Sequence, residues 1–340
     1  MSKDIIKKLL YDIKNGTSHS VDYLLSNDVE STLSEKGIRI RQIISPALRR
    51  FYLTQTKYKL IREPISGKIV NEGKIFVINH RQADDIVLGA NATKEHAYIL
   101  FGNKDLVLET PFGLGLWANG VIVVDRDNKE SRHAAYKKLK YVLEHGGNVI
   151  IFAEGYWNLD DDGITDGIHG SDDHNSECWL IQDINIGAIR LAKETGCPII
   201  PTVLHYDEVG KYKCYSKKGK LIYVSKTDDI FDKKDEVVDT MNAMYYNLMD
   251  KYSHYDRDEL ESNGLTLREQ WEALKEELIA ACSIQRVNYK LDLLDEKRIG
   301  KAKVSNSVVT NKEAFEHLDR IDINSSNAYL LSKRLSGRKR

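Results

Sequence analysis

Between residues 73 and 206 the chain repeats one pattern: a short apolar run rich in β-branched residues, then a longer polar stretch of helical character. The runs read KIFVIN, AYILF, VIVVD, NVIIFA and PIIPTVLHY. Strands that are apolar throughout are buried on both faces, and the intervening helices supply the crossovers that parallel pairing needs. The pattern predicts an α/β domain over residues 66–228, with a mostly parallel central sheet flanked by helices. The clearest helix is expected from about 129 to 145, after an Asp-Asn start signal and before the stop at Gly146 and Gly147.

The flanks read differently. Residues 1–65 predict a helical N-terminal arm, and 229–340 a helical C-terminal extension with a basic tail, SKRLSGRKR, at 332–340. Within the arm, RIRQIISPALRRFYL interleaves Arg39, Arg41, Arg49 and Arg50 with apolar residues, and Pro46 is expected to divide it into two helices. Ile40, Ile43, Ile44, Leu48, Phe51 and Leu53 would either pack on the core or, with the tail at 333–340, meet an anionic bilayer. Residues 211–226 alternate like a hairpin turning near Lys218 and Gly219. Beyond them Val237, Met241, Met244, Tyr245 and Leu248 form one apolar helical stripe. Leu267, Trp271, Leu274 and Leu278 form a second, opened by Thr266 and Glu269 as a capping box.

Composition excludes several classes. The 340 residues hold 50 basic and 51 acidic side chains, a net charge of -1, so no overall field draws the protein to nucleic acid. Cys178, Cys197, Cys214 and Cys282 are too dispersed for a zinc ligand set or a disulfide framework, which points to a reducing cytoplasm. No apolar run reaches bilayer length and no signal-peptide core opens the chain, so a soluble or peripheral protein on the inner face of the cell membrane is expected.

Four segments at predicted strand ends carry chemistry. In NHRQADD, His80 is followed five residues later by Asp85, with Asp84 beside it. A carboxylate that holds one imidazole nitrogen as a donor leaves the other to act as a general base. The alternative is a helix start whose two aspartates only favour the dipole. In GVIVVDR, Arg126 can hold a phosphate or carboxylate, or pair with Asp125 or Asp127. In FAEGYWN, Glu154 and Gly155 follow a strand at a turn suited to glycine. In CPIIPTVLHY, Pro201 inside a strand pattern implies an edge, a bulge or a bend.

Taken in order, these segments resemble the glycerolipid acyltransferase family, whose members acylate glycerol 3-phosphate and 1-acylglycerol 3-phosphate (lysophosphatidate). The family's Asn-His-x-x-x-x-Asp is complete in Asn79, His80 and Asp85. Its Gly-x-x-Phe-Ile-Asp-Arg is nearly complete in Gly120, Asp125 and Arg126, and its Val-Pro-Ile-Ile-Pro runs from Pro198 to Pro201 behind Cys197. Its Pro-Glu-Gly-Thr-Arg-Ser keeps Glu154 and Gly155 but has Ala153, Tyr156, Trp157 and Asn158 in the other places. The likeness spans roughly residues 70–206 and implies His80 and Asp85 as the catalytic pair. Asn79, Gly120, Arg126, Glu154, Gly155, Tyr156, Trp157 and Pro201 would form the substrate pocket. An acyl thioester of coenzyme A or acyl carrier protein would be donor and co-substrate, with no further cofactor and no metal. The family's third-motif arginine is thought to help hold the acceptor phosphate. Trp157 in its place offers an aromatic face that suits a sugar, so a glycan or glycolipid hydroxyl stands beside lysophosphatidate as the acceptor.

Two readings of other classes compete. The loop NLDDDGITDGIHGSDDH at 158–174 opens like a calcium-binding loop but has His169 at the twelfth position. With His80, Asp84 and Asp85 it could serve a metal-dependent phosphohydrolase; otherwise it is a solvated acidic loop. A catalytically dead lipid-binding protein would not require the His80 and Asp85 pair. His96, His133, His145 and His205 stand singly and are expected to be structural or surface residues.

Overall fold

The computed structural model describes residues 29–64, 73–102, 116, 118–125, 128–154, 181, 184–207 and 212–252. Outside them lie Arg126, Gly155, Tyr156, Trp157, the acidic loop at 158–174, Cys178, Cys282, the 267–278 stripe and the basic tail.

In chain order the elements are α1 (Val29–Thr32), α2 (Glu35–Leu53), β1 (Lys59–Arg62), β2 (Ile75–Ile78), α3 (Asp85–Ala92), β3 (Tyr98–Phe101), β4 (Val121–Val123), α4 (Lys129–Glu144), β5 (Val149–Phe152), α5 (Gly187–Thr195), β6 (Ile199–Asp207), β7 (Lys213–Lys218) and α6 (Ile230–Tyr252). The strands form one seven-stranded sheet in the order β1-β7-β6-β2-β5-β3-β4. Every pairing is parallel except β6 with β7. The fold is therefore α/β with a mostly parallel sheet, as the apolar runs require.

Strand alternation divides the core in two. Ile75 and Val77 of β2, with Val149, Ile151, Ile199 and Val203, pack under α4, α5 and α6. Phe76 and Ile78, with Ile150, Ile200 and Leu204, pack under α3. Each such aliphatic side chain contributes about 1.5–3 kcal/mol on burial. The α6 stripe is placed as its period requires, since Val237, Met241, Met244, Tyr245 and Leu248 are all buried. Helix α4 begins where Asn128 accepts from the Glu130 and Ser131 amides at 2.8 and 3.1 Å, and ends before Gly146 in the left-handed region.

Two expectations are corrected. Pro46 does not divide the arm: α2 runs unbroken from Glu35 to Leu53, opened by the Ser34 hydroxyl accepting from the Gly37 amide. Proline removes the bond to the residue four positions back, and here both Pro46 and Gln42 face solvent, where water can take the freed carbonyl. Nor do residues 211–226 form a hairpin of their own. β7 pairs with β6, and after Lys218 the chain continues along β6 rather than folding back on β7. The Gly219 amide donates to the Pro201 carbonyl, and Ile222 exchanges amide bonds with Ile199. β6 has nine residues against six in β7, so its free end offers partners to the following chain. The register slips by one residue between these contacts, so Pro201 sits beside a bulge at the point where β7 ends.

Helix α2 lies at the N-terminal ends of the parallel strands. Ile38 approaches Gly147, the Gln42 amide donates to the Gly146 carbonyl at 3.2 Å, and the Arg41 guanidinium stands over the Tyr98 ring. Ile40, Ile43, Ile44 and Phe51 on this helix are exposed, Ile43 by 77%. Leu48 and Leu53 are half-buried.

Candidate active site

The opposite edge, at the C-terminal ends of β2 and β5, carries His80, Asp85 and Glu154. Strand β2 stops at Ile78 because the next residue spends its side chain on the neighbouring strand. The Asn79 amide group donates to the Leu204 carbonyl at 3.0 Å and its carbonyl accepts from the Leu204 N–H at 2.8 Å, extending the β2–β6 ladder by one rung. His80 then leaves the sheet. Its backbone N–H donates to Glu154 Oε1 at 2.7 Å, and Glu154 has no exposed surface. A buried carboxylate from the end of β5 thus ties down the main chain that presents the imidazole. The Phe152 ring lies 4.7 Å from the imidazole, tilted by 32°.

The chain turns through Arg81–Asp84 into α3, which brings Asp85 back under the histidine. His80 Nδ1 lies 3.0 Å from Asp85 Oδ2. The same oxygen accepts from the Gln82 N–H at 2.9 Å and from the Arg81 N–H. Oδ1 accepts from the Tyr206 hydroxyl on β6. Asp85 is wholly buried, so these donors replace the water that a carboxylate needs. A carboxylate can only accept, so Nδ1 is the protonated nitrogen; the imidazole retains 15% exposure. Asp84 occupies the helix cap position without a side-chain cap bond. Of the two aspartates, Asp85 is the one in contact with the His80 ring.

Both Asp85 oxygens face N–H or O–H donors. Among the described residues no three His, Cys, Asp or Glu side chains are grouped to hold a metal ion. Burial and the Asp85 charge push the Tyr206 phenol well above its ordinary value, so it stays a donor. The same two causes hold the buried Cys214 thiol protonated and unsuited to nucleophilic attack.

Residues 55–205 match the sequence model of the Acyltransferase family. This segment is an acyltransferase domain. Among solved structures, the chain resembles the 1-acyl-sn-glycerophosphate (LPA) acyltransferase PlsC from Thermotoga maritima, with a TM-score of 0.48 and 14% identity over 64% of this chain and 84% of that one. No curated protein sequence matches the chain.

The acyltransferase domain does not gather every expected residue at one edge. Gly120 precedes β4 at the N-terminal edge, away from His80, with φ of +95°. A Cβ there would come within 2.7 Å of the Tyr98 ring, so the glycine is required by close packing. Pro201 lies inside the sheet opposite Val77, and Asn79 faces β6. Asp125 lies two residues beyond β4, its amide donating to the Ser131 hydroxyl at 2.9 Å. The single histidines stand apart from the dyad. His96 is buried with Nε2 2.6 Å from the Asn119 carbonyl, His205 is buried beside Tyr215 and Tyr245, His145 stacks on Tyr141, and His133 is exposed. Sequence reasoning passed over Tyr206 and Phe152. Their signal was alternation: Tyr206 shares a face of β6 with the buried Leu204, and its hydroxyl at a strand end required a partner.

Proposed function

We propose that the acyltransferase domain moves an acyl group from a thioester of coenzyme A or acyl carrier protein to the hydroxyl of a lysophosphatidate-like or glycerol-phosphate-like acceptor. The observation that carries this reading is the His80–Asp85 pair, with Nδ1 engaged by a carboxylate that three further donors hold in place. Nε2 takes the acceptor's hydroxyl proton as the oxygen attacks the thioester carbonyl. Asp85 stabilises the resulting imidazolium, and the proton then passes to the leaving thiolate. No covalent enzyme intermediate and no cofactor beyond the donor is needed. Arg126, which follows Asp125 in the sequence, is assigned the acceptor phosphate, and backbone amides around Gly155 the oxyanion.

The test is a panel of labelled acyl thioesters and acceptors with purified protein. Transfer by the wild type and a loss of at least about a hundredfold in folded His80→Ala are expected. Retained turnover in the variant refutes the mechanism.

A second acceptor class is favoured by one observation, the sequence FAEGYWN, in which Trp157 stands where the family has arginine. A lost charged contact is worth about 1.5–3 kcal/mol, which would weaken a phosphomonoester roughly ten- to a hundredfold, while Tyr156 and Trp157 suit a glycan or glycolipid. Trp157→Arg assayed on both acceptor types separates the two.

The domain is further assigned a peripheral place on the cytoplasmic face of the membrane. Among the described residues no helix is long and apolar enough to cross a bilayer. Support comes from the exposed Ile40, Ile43, Ile44 and Phe51 on α2, flanked by the exposed Lys36, Arg39 and Arg50. Because α2 lies on the edge opposite His80, this contact anchors the enzyme without placing the bilayer at the dyad.

A further inference from the structure

One oxygen of Asp85 is held by its own loop and the other is not. Oδ2 accepts from His80, Arg81 and Gln82, all within five residues of it, whereas Oδ1 accepts from Tyr206, 121 positions along the chain on β6. We propose that Tyr206 is a positioning residue for acyl transfer, fixing the plane of the Asp85 carboxylate and through it the tautomer and tilt of the His80 ring. The proposal rests on the acyl-transfer reading for what the ring accomplishes, and on geometry alone for how the ring is held.

Three observations carry it. The torsion that turns a carboxylate is soft, so donors on one oxygen leave its plane free, whereas donors on both oxygens fix it. Asp85 has no exposed surface and Tyr206 is 9% exposed, so water has little access to take over the hydroxyl's role. The hydroxyl is itself fixed, since the Tyr58 ring meets the Tyr206 ring edge-on at 4.9 Å and β6 pairs Tyr206 with Cys214 of β7.

The other ionisable groups around the dyad leave this contact a distinct task. Cys214 carries a neutral thiol, and the Glu154 carboxylate from β5 binds the His80 main chain. The Arg81 guanidinium turns to the Tyr245 hydroxyl on α6, and Asp84 precedes α3 without a cap bond. Loss of the Tyr206 donor concentrates negative charge on Asp85, which then holds the ring proton more tightly. The base is neutral over less of the acid range.

The experiment compares wild type, Tyr206→Phe and the full-length protein carrying 3-fluorotyrosine at 206, a ring with a stronger donor. Tyr206→Phe should lower kcat by about tenfold or more with KM within about twofold, and move the acid limb of the rate profile to higher pH. The Nδ1 proton resonance of His80 should be displaced from its wild-type position. Fluorotyrosine should displace the limb and the resonance in the opposite sense. A resonance and an acid limb that stay at their wild-type positions in these proteins, with only thermal stability reduced, would show that Tyr206 serves packing alone and overturn the proposal. The resonance needs no turnover, so a wild type inactive with every thioester and acceptor pair removes the acyl-transfer reading while the comparison still decides the role of Tyr206.

Discussion

Replacing Asp85 with asparagine separates the carboxylate's charge from its shape. Three N–H donors converge on Oδ2, so the asparagine oxygen must take that place and the new amide N–H₂ must face Tyr206. A hydroxyl donates or accepts, and Tyr206 can turn its lone pair to the amide. What is lost is the charge in four hydrogen bonds: bonds to ionised groups contribute about 1.5–3 kcal/mol and neutral ones about 0.5–1.5. Part of this difference is offset because a neutral side chain is cheaper to bury, leaving a net destabilisation of roughly 1–2 kcal/mol. Melting should fall by about 2–8 °C. The catalytic loss should be far larger, because a neutral amide cannot stabilise an imidazolium: kcat should drop about 10²–10⁴-fold with KM little changed. Steady-state kinetics and thermal unfolding of Asp85→Asn and Asp84→Asn check both numbers. Full activity in folded Asp85→Asn, or a damaging Asp84→Asn beside it, refutes the assignment of the orienter.

Other outcomes follow from the same structure. Burial lowers the His96 pKa to about 4, below the ordinary 6.5, so between those values the unfolded chain binds a proton that the folded one does not. Its contribution of about 3 kcal/mol is complete above 6.5 and is lost as pH falls toward 4; urea unfolding at about pH 4.5 and 7 should show the loss in wild type and a flatter profile in His96→Gln. Gly120→Ala should destabilise by about 1–3 kcal/mol through its left-handed φ and the Tyr98 ring, read by thermal unfolding, with little change in KM. Ile43→Glu with Phe51→Glu should abolish salt-sensitive flotation with anionic vesicles at low ionic strength; wild type that fails to float removes the membrane assignment.

The sheet was legible because its signal is local. IFVI and VIIF are apolar throughout and could only be strands buried on both faces, as β2 and β5 are. His80 and Asp85 were legible for a similar reason, since five residues of strand end and turn suffice to bring them together. What the sequence hid depends on register between distant segments. Asn79 read as a substrate contact until pairing set Leu204 beside it, and Tyr206 had no visible role until β6 lay against β2. Pro46 misled because a breaker's cost depends on which side of the helix it faces, and the 211–226 alternation misled because β6 offered the same residues a longer partner.

The long reach of the site's supports sets an order for its assembly during synthesis. His80 and Asp85 emerge early, yet Glu154 follows His80 by 74 residues, and the partners of Asn79 and Asp85 follow by 125 and 121. Strand β1, made before them all, pairs with β7. Closing such separations is slow, and a nascent chain that ends short of residue 206 carries the dyad without the tyrosine or the ladder rung that fixes it. The site's supports are completed late and at once, when β6 docks on β2, so a partly made chain carries the dyad unsupported while its core is still open.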